Sequence, residues 1–292
     1  MTEKDAGFYE IRGDGAMPVV VSVPHGGQDY GPALIARFRE PAIRIRLEDR
    51  LVDTLALAIA EATGAHTVIA SSPRALIDLN RAPDDVDWDM VAGARQPVPR
   101  HCAGNRRARS GLGLIPRRLP GYGEIWREKI SADEIERRIE TVHRPYHARV
   151  QELLEDTRDR WGVALLLDLH SMPPLPVMAG QAAPEYVVGD RFGASCAATL
   201  SAAAVRYLGA QGRTAVHNRP YSGGYILERH AAPRRGIHAL QVEVCRSAYL
   251  DPALSEPGAR LPAVARLLGG LVRQLAVQVS ALAEGNWRHA AE

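Results

Sequence analysis

Six short apolar runs alternate with longer amphipathic stretches along this chain. Residues 18–23 are rich in valine and stop at Pro24-His25-Gly26-Gly27, the pattern of a buried strand closed by a turn. Over residues 42–62, Leu47, Leu51, Leu55 and Ile59 recur every four positions and Gly64 supplies a stop, so one continuous helix is expected. Residues 66–70 form a second strand candidate. Residues 132–160 read as helical, with Pro145 starting a new helix or kinking the old one. Residues 163–167 are an unbroken apolar run, which suits a central strand covered on both faces, and lead into Asp168-Leu169-His170-Ser171. Further strands are predicted at 186–188, 214–217 and 238–244, with helices at 192–208 and 261–283. Between 82 and 123 the periodicity vanishes into Pro, Gly and Arg, with acids at Asp84, Asp85, Asp87 and Asp89. So long an irregular stretch is usually functional or mobile, and a lid is one use for it.

Alternating strands and helices predict an α/β sheet between helical layers. Hydrophobic residues make up 46% and charged residues 24% of the 292, so the chain has material for a core and is not disordered. Thirty-six basic against 34 acidic residues leave a net charge of +2, which announces no polyanionic partner. Lys4 and Lys129 are the only lysines. That arginine surplus reads mostly as compositional bias, although arginine grips carboxylates bidentately where lysine cannot. Arg106, Arg107, Arg109, Arg117 and Arg118 lack interleaved aromatics, which argues against nucleic-acid binding. No apolar run is long enough to span a bilayer, and the first residues carry no secretory h-region. Cys102, Cys196 and Cys245 suggest no disulfide framework, so a reducing, cytoplasmic setting is expected.

The polar residues of interest follow the predicted strands, where open α/β sheets bind ligands. His25 sits at one such turn. Alternation puts Asp168 and His170 on one side of the next strand, a carboxylate placed to orient an imidazole. His25, His170 and one carboxylate would complete the three-ligand open site typical of catalytic zinc. Gln28 cannot serve as that carboxylate. Asp49 and Glu48 are the nearest candidates, with helix-dipole compensation as the plainer reading. In Asp78-Leu79-Asn80-Arg81, an amide and a guanidinium make a carboxylate grip, or else a salt-bridged turn. Glu243 stands in an otherwise apolar strand. Buried there, it would be a general base with a raised pKa; on an edge it would face solvent. Residues 218–224 are a polar, glycine-ended loop that would either position a ligand or simply connect elements. His143 and His147 have the i, i+4 spacing of a helical metal pair, but Pro145 intervenes and no H-E-x-x-H glutamate is present. P-loop and G-x-S-x-G signatures are absent from the sequence.

Val23-Pro24-His25-Gly26-Gly27, Asp49 with Asp53, Ile77-Asp78-Leu79-Asn80-Arg81, Asp168-Leu169-His170-Ser171-Met172-Pro173, Gly223-Gly224 and Gln241-Val242-Glu243 stand in the order seen in N-formylglutamate amidohydrolases. Residues 17–251 resemble that family, and residues 78–81 are also similar to the motif of zinc carboxypeptidases and aspartoacylase-like deacylases. The resemblance implies a three-layer α/β sandwich, its central sheet mixed and mostly parallel with helices on both faces, in one domain spanning 1–292. It implies zinc or another divalent metal on His25, His170 and Asp49, with Glu48 the other candidate for third ligand. Glu243 would be the catalytic glutamate. Asn80 and Arg81 would hold the substrate carboxylate, with Arg219 and Gly224 as further substrate contacts. The implied reaction is hydrolysis of N-formyl-L-glutamate to formate and L-glutamate, a step of histidine catabolism. Another N-acyl amino acid, a carboxypeptidase-like substrate, or non-catalytic carboxylate binding are the rival readings. A small dianionic substrate needs only a local cationic pocket, in keeping with the near-neutral chain.

Overall fold

The structure, a computed structural model, describes residues 7–93, 106–176 and 182–290. Its strands are β1 (Phe8–Ile11), β2 (Val19–Val23), β3 (His66–Ala70), β4 (Arg118–Leu119), β5 (Gly123–Glu124), β6 (Ala164–Met172), β7 (Tyr186–Gly189), β8 (Ala215–His217) and β9 (Ile237–Cys245). Its α-helices are α1 (Pro32–Ala36), α2 (Arg44–Leu47), α3 (Val52–Thr63), α4 (Arg106–Arg109), α5 (Ala132–Arg138), α6 (Arg144–Trp161), α7 (Ala198–Ala210), α8 (Tyr225–His230) and α9 (Leu261–Ala290). Among the described residues, seven strands join in one sheet of order β1-β3-β2-β6-β9-β7-β8, while β4 and β5 pair as a separate hairpin. β3, β2, β6 and β9 run parallel. β1 is antiparallel to β3, and β7 antiparallel to β9. The sheet is therefore mixed and mostly parallel, as the family resemblance implies.

Strand alternation sorts the core into two layers. Val19, Val21, Leu165, Leu167, Leu240 and Val242 pack against α3, α7 and α9. Val20, Leu166 and Ala239 face the opposite way, onto Ile135 of α5, Tyr146 and Val150 of α6, and Ile226 of α8. This makes a three-layer sandwich. On the α6 face, toward the C-terminal ends of the parallel strands, the apolar residues give way to Ser22, Asp168, His170, Gln241 and Glu243, all buried.

Several elements depart from expectation for identifiable reasons. The helix expected over 42–62 is broken. A 3-10 turn and α2 end at Glu48, whose backbone is extended (ψ 149°), and Leu51 is left-handed (φ 55°) before α3 begins. Tertiary contacts hold the break open: the Asp49 amide donates to the His25 carbonyl at 3.2 Å, and Arg246 donates to the Glu48 carbonyl. β6 runs five residues past the apolar stretch at 163–167, because register pairing with β9 continues from Ala164↔Ile237 to Met172↔Cys245. α7 starts at Ala198 rather than 192, since Asp190 instead closes a turn by accepting from the Gly193 amide at 2.9 Å. β1, an edge strand with no alternation signal, was not anticipated. Pro145 does open a helix: it lies in the first turn of α6, after a π-helical turn at Ile139–His143.

The expected irregular segment, 82–123, is tied to the core at several of its described residues; residues 94–105, with Cys102, lie outside the described residues. Val86, Met90, Val91, Leu114 and Ile115 are buried in the α6-side core. Asp85 accepts from the Ala108 amide at 3.2 Å, and Asp87 accepts from Arg117 at 2.7 Å. The grouped acids thus bind the segment's own amides and arginines. Cys196 and Cys245 are buried free thiols. Among the described residues no helix is long and apolar enough to cross a membrane. If the segment is core, Leu114→Ala should cost about 2–5 kcal/mol in chemical denaturation; a cost under about 0.5 kcal/mol, the level of a surface change, contradicts its anchoring.

Candidate active site

Four parallel strands deliver the site. His25 follows β2, residues 74–81 follow β3, His170 lies near the end of β6, and Glu243 near the end of β9. In the β6–β9 register His170 pairs with Glu243 and Asp168 with Gln241, so these four side chains share one face. Asp49 enters from the break between α2 and α3. A Cβ on Gly27 would collide with the Ser72 carbonyl, so glycine permits the tight turn after His25.

His25, Asp49 and His170 are buried, and each offers one donor atom within 4.8 Å of the others. Each imidazole is oriented by a carboxylate behind it. His25 Nε2 lies 2.7 Å from Asp78 Oδ1, and His170 Nε2 lies 2.9 Å from Asp168 Oδ2. Both Nδ1 atoms therefore face Asp49 Oδ2, at 3.5 Å from His25 and 2.9 Å from His170. Two imidazoles with carboxylate partners behind them, plus one carboxylate, form a donor set suited to a divalent metal. Glu48 points elsewhere: its carboxylate accepts from Arg50 at 3.1 Å. Asp53 sits in the first turn of α3 and is not among the cavity-lining residues.

Charge in this site is strongly coupled to burial. Burial opposes ionisation of Asp49, yet its bonds to His170 and His25 outweigh it and hold the carboxyl well below the usual range. Burial likewise opposes a charge on His170, but Asp168 and Asp49 keep its proton well above the ordinary imidazole range. Burial pushes Glu243 up to about 7; His170 opposes this, and Asp49 and Asp168 reinforce it. Asp78 is held low against its burial by Arg74, His25 and Arg81.

His25, Asp49, Asn80, Arg81, His170, Gly224 and Glu243 line one cavity of about 350 Å³. Arg81 spends Nε on the Leu112 carbonyl at 2.8 Å and Nη1 on the Asn80 carbonyl at 2.7 Å, which fixes the plane of its guanidinium. Asn80 Oδ1 accepts from the Ile226 amide at 2.9 Å. A Cβ on Gly224 would collide with the Asn80 side-chain amide, so only glycine allows that approach. Arg219 is placed differently: it is exposed and does not line the cavity, although Pro220 to Gly224 of its loop do.

Sequence reasoning missed two cleft arginines. Arg74 donates from Nε to Asp78 at 2.8 Å. Arg246 reaches Ser171 Oγ at 3.2 Å and Asp49 Oδ1 at 3.3 Å. Each follows a parallel strand, the same positional signal that picked out His25.

His143 and His147 stand apart from this donor set, and His147 pairs with His230 at 2.9 Å. Burial pushes His230 down to about 3 and His147 well below its usual range. An unfolded histidine titrates near 6.5. Above that pH both states are neutral and this contribution to stability is complete. Below it, the unfolded chain binds protons that the folded chain refuses, so stability falls as pH drops from about 6.5 toward 3. Between pH 7 and 5 the denaturation midpoint of His230→Gln should therefore shift upward relative to that of the unsubstituted chain as pH falls; a constant difference contradicts this.

Comparison with known proteins bears on the same residues. A family model described as N-formylglutamate amidohydrolase matches residues 17–250. The N-formylglutamate deformylase of Pseudomonas aeruginosa is 30% identical over 284 residues, covering 94% of this chain and 97% of the relative. That of Pseudomonas putida is 32% identical over 244 residues, covering 81% and 83%. The crystal structure of N-formylglutamate amidohydrolase from Ralstonia eutropha JMP134 aligns with a TM-score of 0.80 at 30% identity, over 97% of this chain and 99% of that one. A protein of Agrobacterium tumefaciens shares the fold at 17% identity, with a TM-score of 0.64 over 94% and 96%. On this sequence match, and with a fold shared over nearly its whole length, the chain belongs to the N-formylglutamate amidohydrolase family and is an amide-bond hydrolase.

Proposed function

We propose that the protein hydrolyses N-formyl-L-glutamate to formate and L-glutamate, using zinc or another divalent metal held by His25, Asp49 and His170. One observation carries this reading: a buried His-Asp-His donor set, the carboxylate Glu243 and the Asn80–Arg81 pair line the same cavity. The relatives named N-formylglutamate deformylase support the substrate.

A metal on those three residues would supply Lewis-acid polarisation of the formyl carbonyl and acidify water. Glu243, the neighbour of His170 across the β6–β9 register, takes the water proton and delivers it to the departing amine nitrogen. Its raised pKa, about 7, suits both transfers near neutrality. Arg74 lines the cavity with its Nε committed to Asp78, and its guanidinium charge stabilises the oxyanion as the carbonyl becomes tetrahedral. Asn80 and Arg81 bind the substrate α-carboxylate, which holds the scissile amide in attacking geometry. Arg46 and Arg107 also line the cavity and add positive charge for a second carboxylate. Arg219, being exposed, is given no role.

Free-amine release from a panel of N-formyl-L-glutamate, N-acetyl-L-glutamate and uncharged N-formyl amino acids tests the substrate. N-formyl-L-glutamate should be turned over fastest; no turnover by metal-loaded protein overturns the proposal. Glu243→Gln should retain metal and lose roughly 10²–10⁴ in kcat; unchanged kcat rules out the proton-transfer role. Asp49→Asn, His25→Ala and His170→Ala should lower metal content by elemental analysis while Glu48→Gln keeps it. Metal loss only in Glu48→Gln would reverse the ligand assignment.

A further inference from the structure

Three buried histidines take no part in the reaction just described. His143 ends the π-helical turn, His147 closes the first turn of α6, and His230 ends α8. Their hydrogen bonds have a fixed direction, with His230 linked to His147 and His143 bonded separately. His143 Nε2 lies 2.9 Å from the Arg81 carbonyl, and His147 Nε2 lies 3.0 Å from the Leu79 carbonyl, so both must donate. A neutral imidazole has a single N–H. His147 Nδ1 is therefore an acceptor, and it takes the proton of His230 Nε2 at 2.9 Å. The His143 and His147 rings stand 4.4 Å apart, with the Tyr225 ring 5.7 Å from the first and 5.2 Å from the second.

The two carbonyls held in this way flank Asn80. α8 also grips Asn80 from its other end, where the Ile226 amide donates to Asn80 Oδ1 at 2.9 Å. From the cleft side, Asp78 Oδ1 accepts the Asn80 amide at 2.9 Å. Residues 79–81 belong to no helix or strand, so no regular ladder fixes them. Burying three imidazoles where apolar side chains would fill the space has a desolvation cost, and here each donor meets a specific acceptor on or behind this one segment.

We propose that His143, His147 and His230 are positioning residues that clamp the Leu79-Asn80-Arg81 peptide, so that the Asn80 amide and Arg81 guanidinium meet a substrate carboxylate already oriented. The inference rests on the reading of Asn80 and Arg81 as the carboxylate-binding pair. Preorganisation of this kind acts on binding: a loosened grip must be ordered each time substrate arrives, which raises KM.

The test compares His147→Phe, which removes a donor and an acceptor, with His147→Gln, whose amide can supply both. Hydrogen exchange over residues 78–82 reads the clamp directly, without substrate. Steady-state kinetics with N-formyl-L-glutamate and metal content complete the set. In His147→Phe, exchange should accelerate by about tenfold or more and KM should rise roughly tenfold, the scale of one lost buried hydrogen bond. Metal content should hold and kcat should stay within about twofold, with His147→Gln restoring most of the KM. If His147→Phe does not fold, His143→Phe, which breaks only the Arg81 carbonyl bond, carries the same test. Unchanged exchange overturns the clamp. Faster exchange or lower stability with unchanged KM reduces the histidines to a structural role and overturns positioning. A wild-type chain inactive on N-formyl-L-glutamate speaks against the proposed function, and the exchange result alone then decides the clamp.

Discussion

A carboxylate buried as deeply as Asp49 is tolerated only if its oxygens find donors, and three separate parts of the chain converge to supply them. The end of β6 contributes His170 Nδ1 and the Ser171 amide, at 2.9 and 3.2 Å. The turn after β2 contributes His25, and the segment after β9 contributes Arg246. That convergence explains why the chain abandons helix between Leu47 and Val52. A continuous helix there would keep Asp49 in its own backbone ladder, whereas the extended Glu48 and left-handed Leu51 aim it at the strand ends. The local cost of a left-handed leucine is about 1–2 kcal/mol, small beside that of an unpaired buried carboxylate.

The second tier follows from the first. Each histidine facing Asp49 is backed by its own acid, and each acid is anchored in turn. Asp78 binds Arg74 at 2.8 Å, and Asp168 accepts from Ser22 Oγ at 3.1 Å, which itself meets the Tyr146 hydroxyl. Asp78 is the hinge between two tasks, since the same oxygen faces His25 and receives the Asn80 amide. The carboxylate behind His25 and the proposed carboxylate grip therefore sit on one short peptide, and the near-neutral net charge hides a dense local alternation of buried acids and arginines.

Much of this was legible beforehand. β2, β3 and β9 are short apolar runs whose limits follow from composition, and His25, His170 and Glu243 stood out as polar residues against apolar surroundings. The parallel order brought those three together, as alternation and strand ends suggest. What escaped the sequence depends on distant partners. The break before α3 is driven by contacts with residues 25 and 246, so its leucine spacing reads as unbroken helix. The extension of β6 through Asp168 and His170 needs β9 beside it. Arg74 and Arg246 are two arginines among many, and only the fold separates them from Arg219, which a loop carries to the surface. The segment around Leu114 lacks periodicity because it fills the core residue by residue rather than as a helix or strand.

The central claim is that Asp49 and the two histidines form a metal centre whose orientation is set by Asp78 and Asp168. Crystals loaded with zinc and measured across its absorption edge test it directly. The account predicts one anomalous peak in bonding contact with Nδ1 of His25, Nδ1 of His170 and a carboxylate oxygen of Asp49, with both Nε2 atoms still on their aspartates. A peak on Glu48, on the His143–His147 pair, or nowhere in the cleft would contradict it.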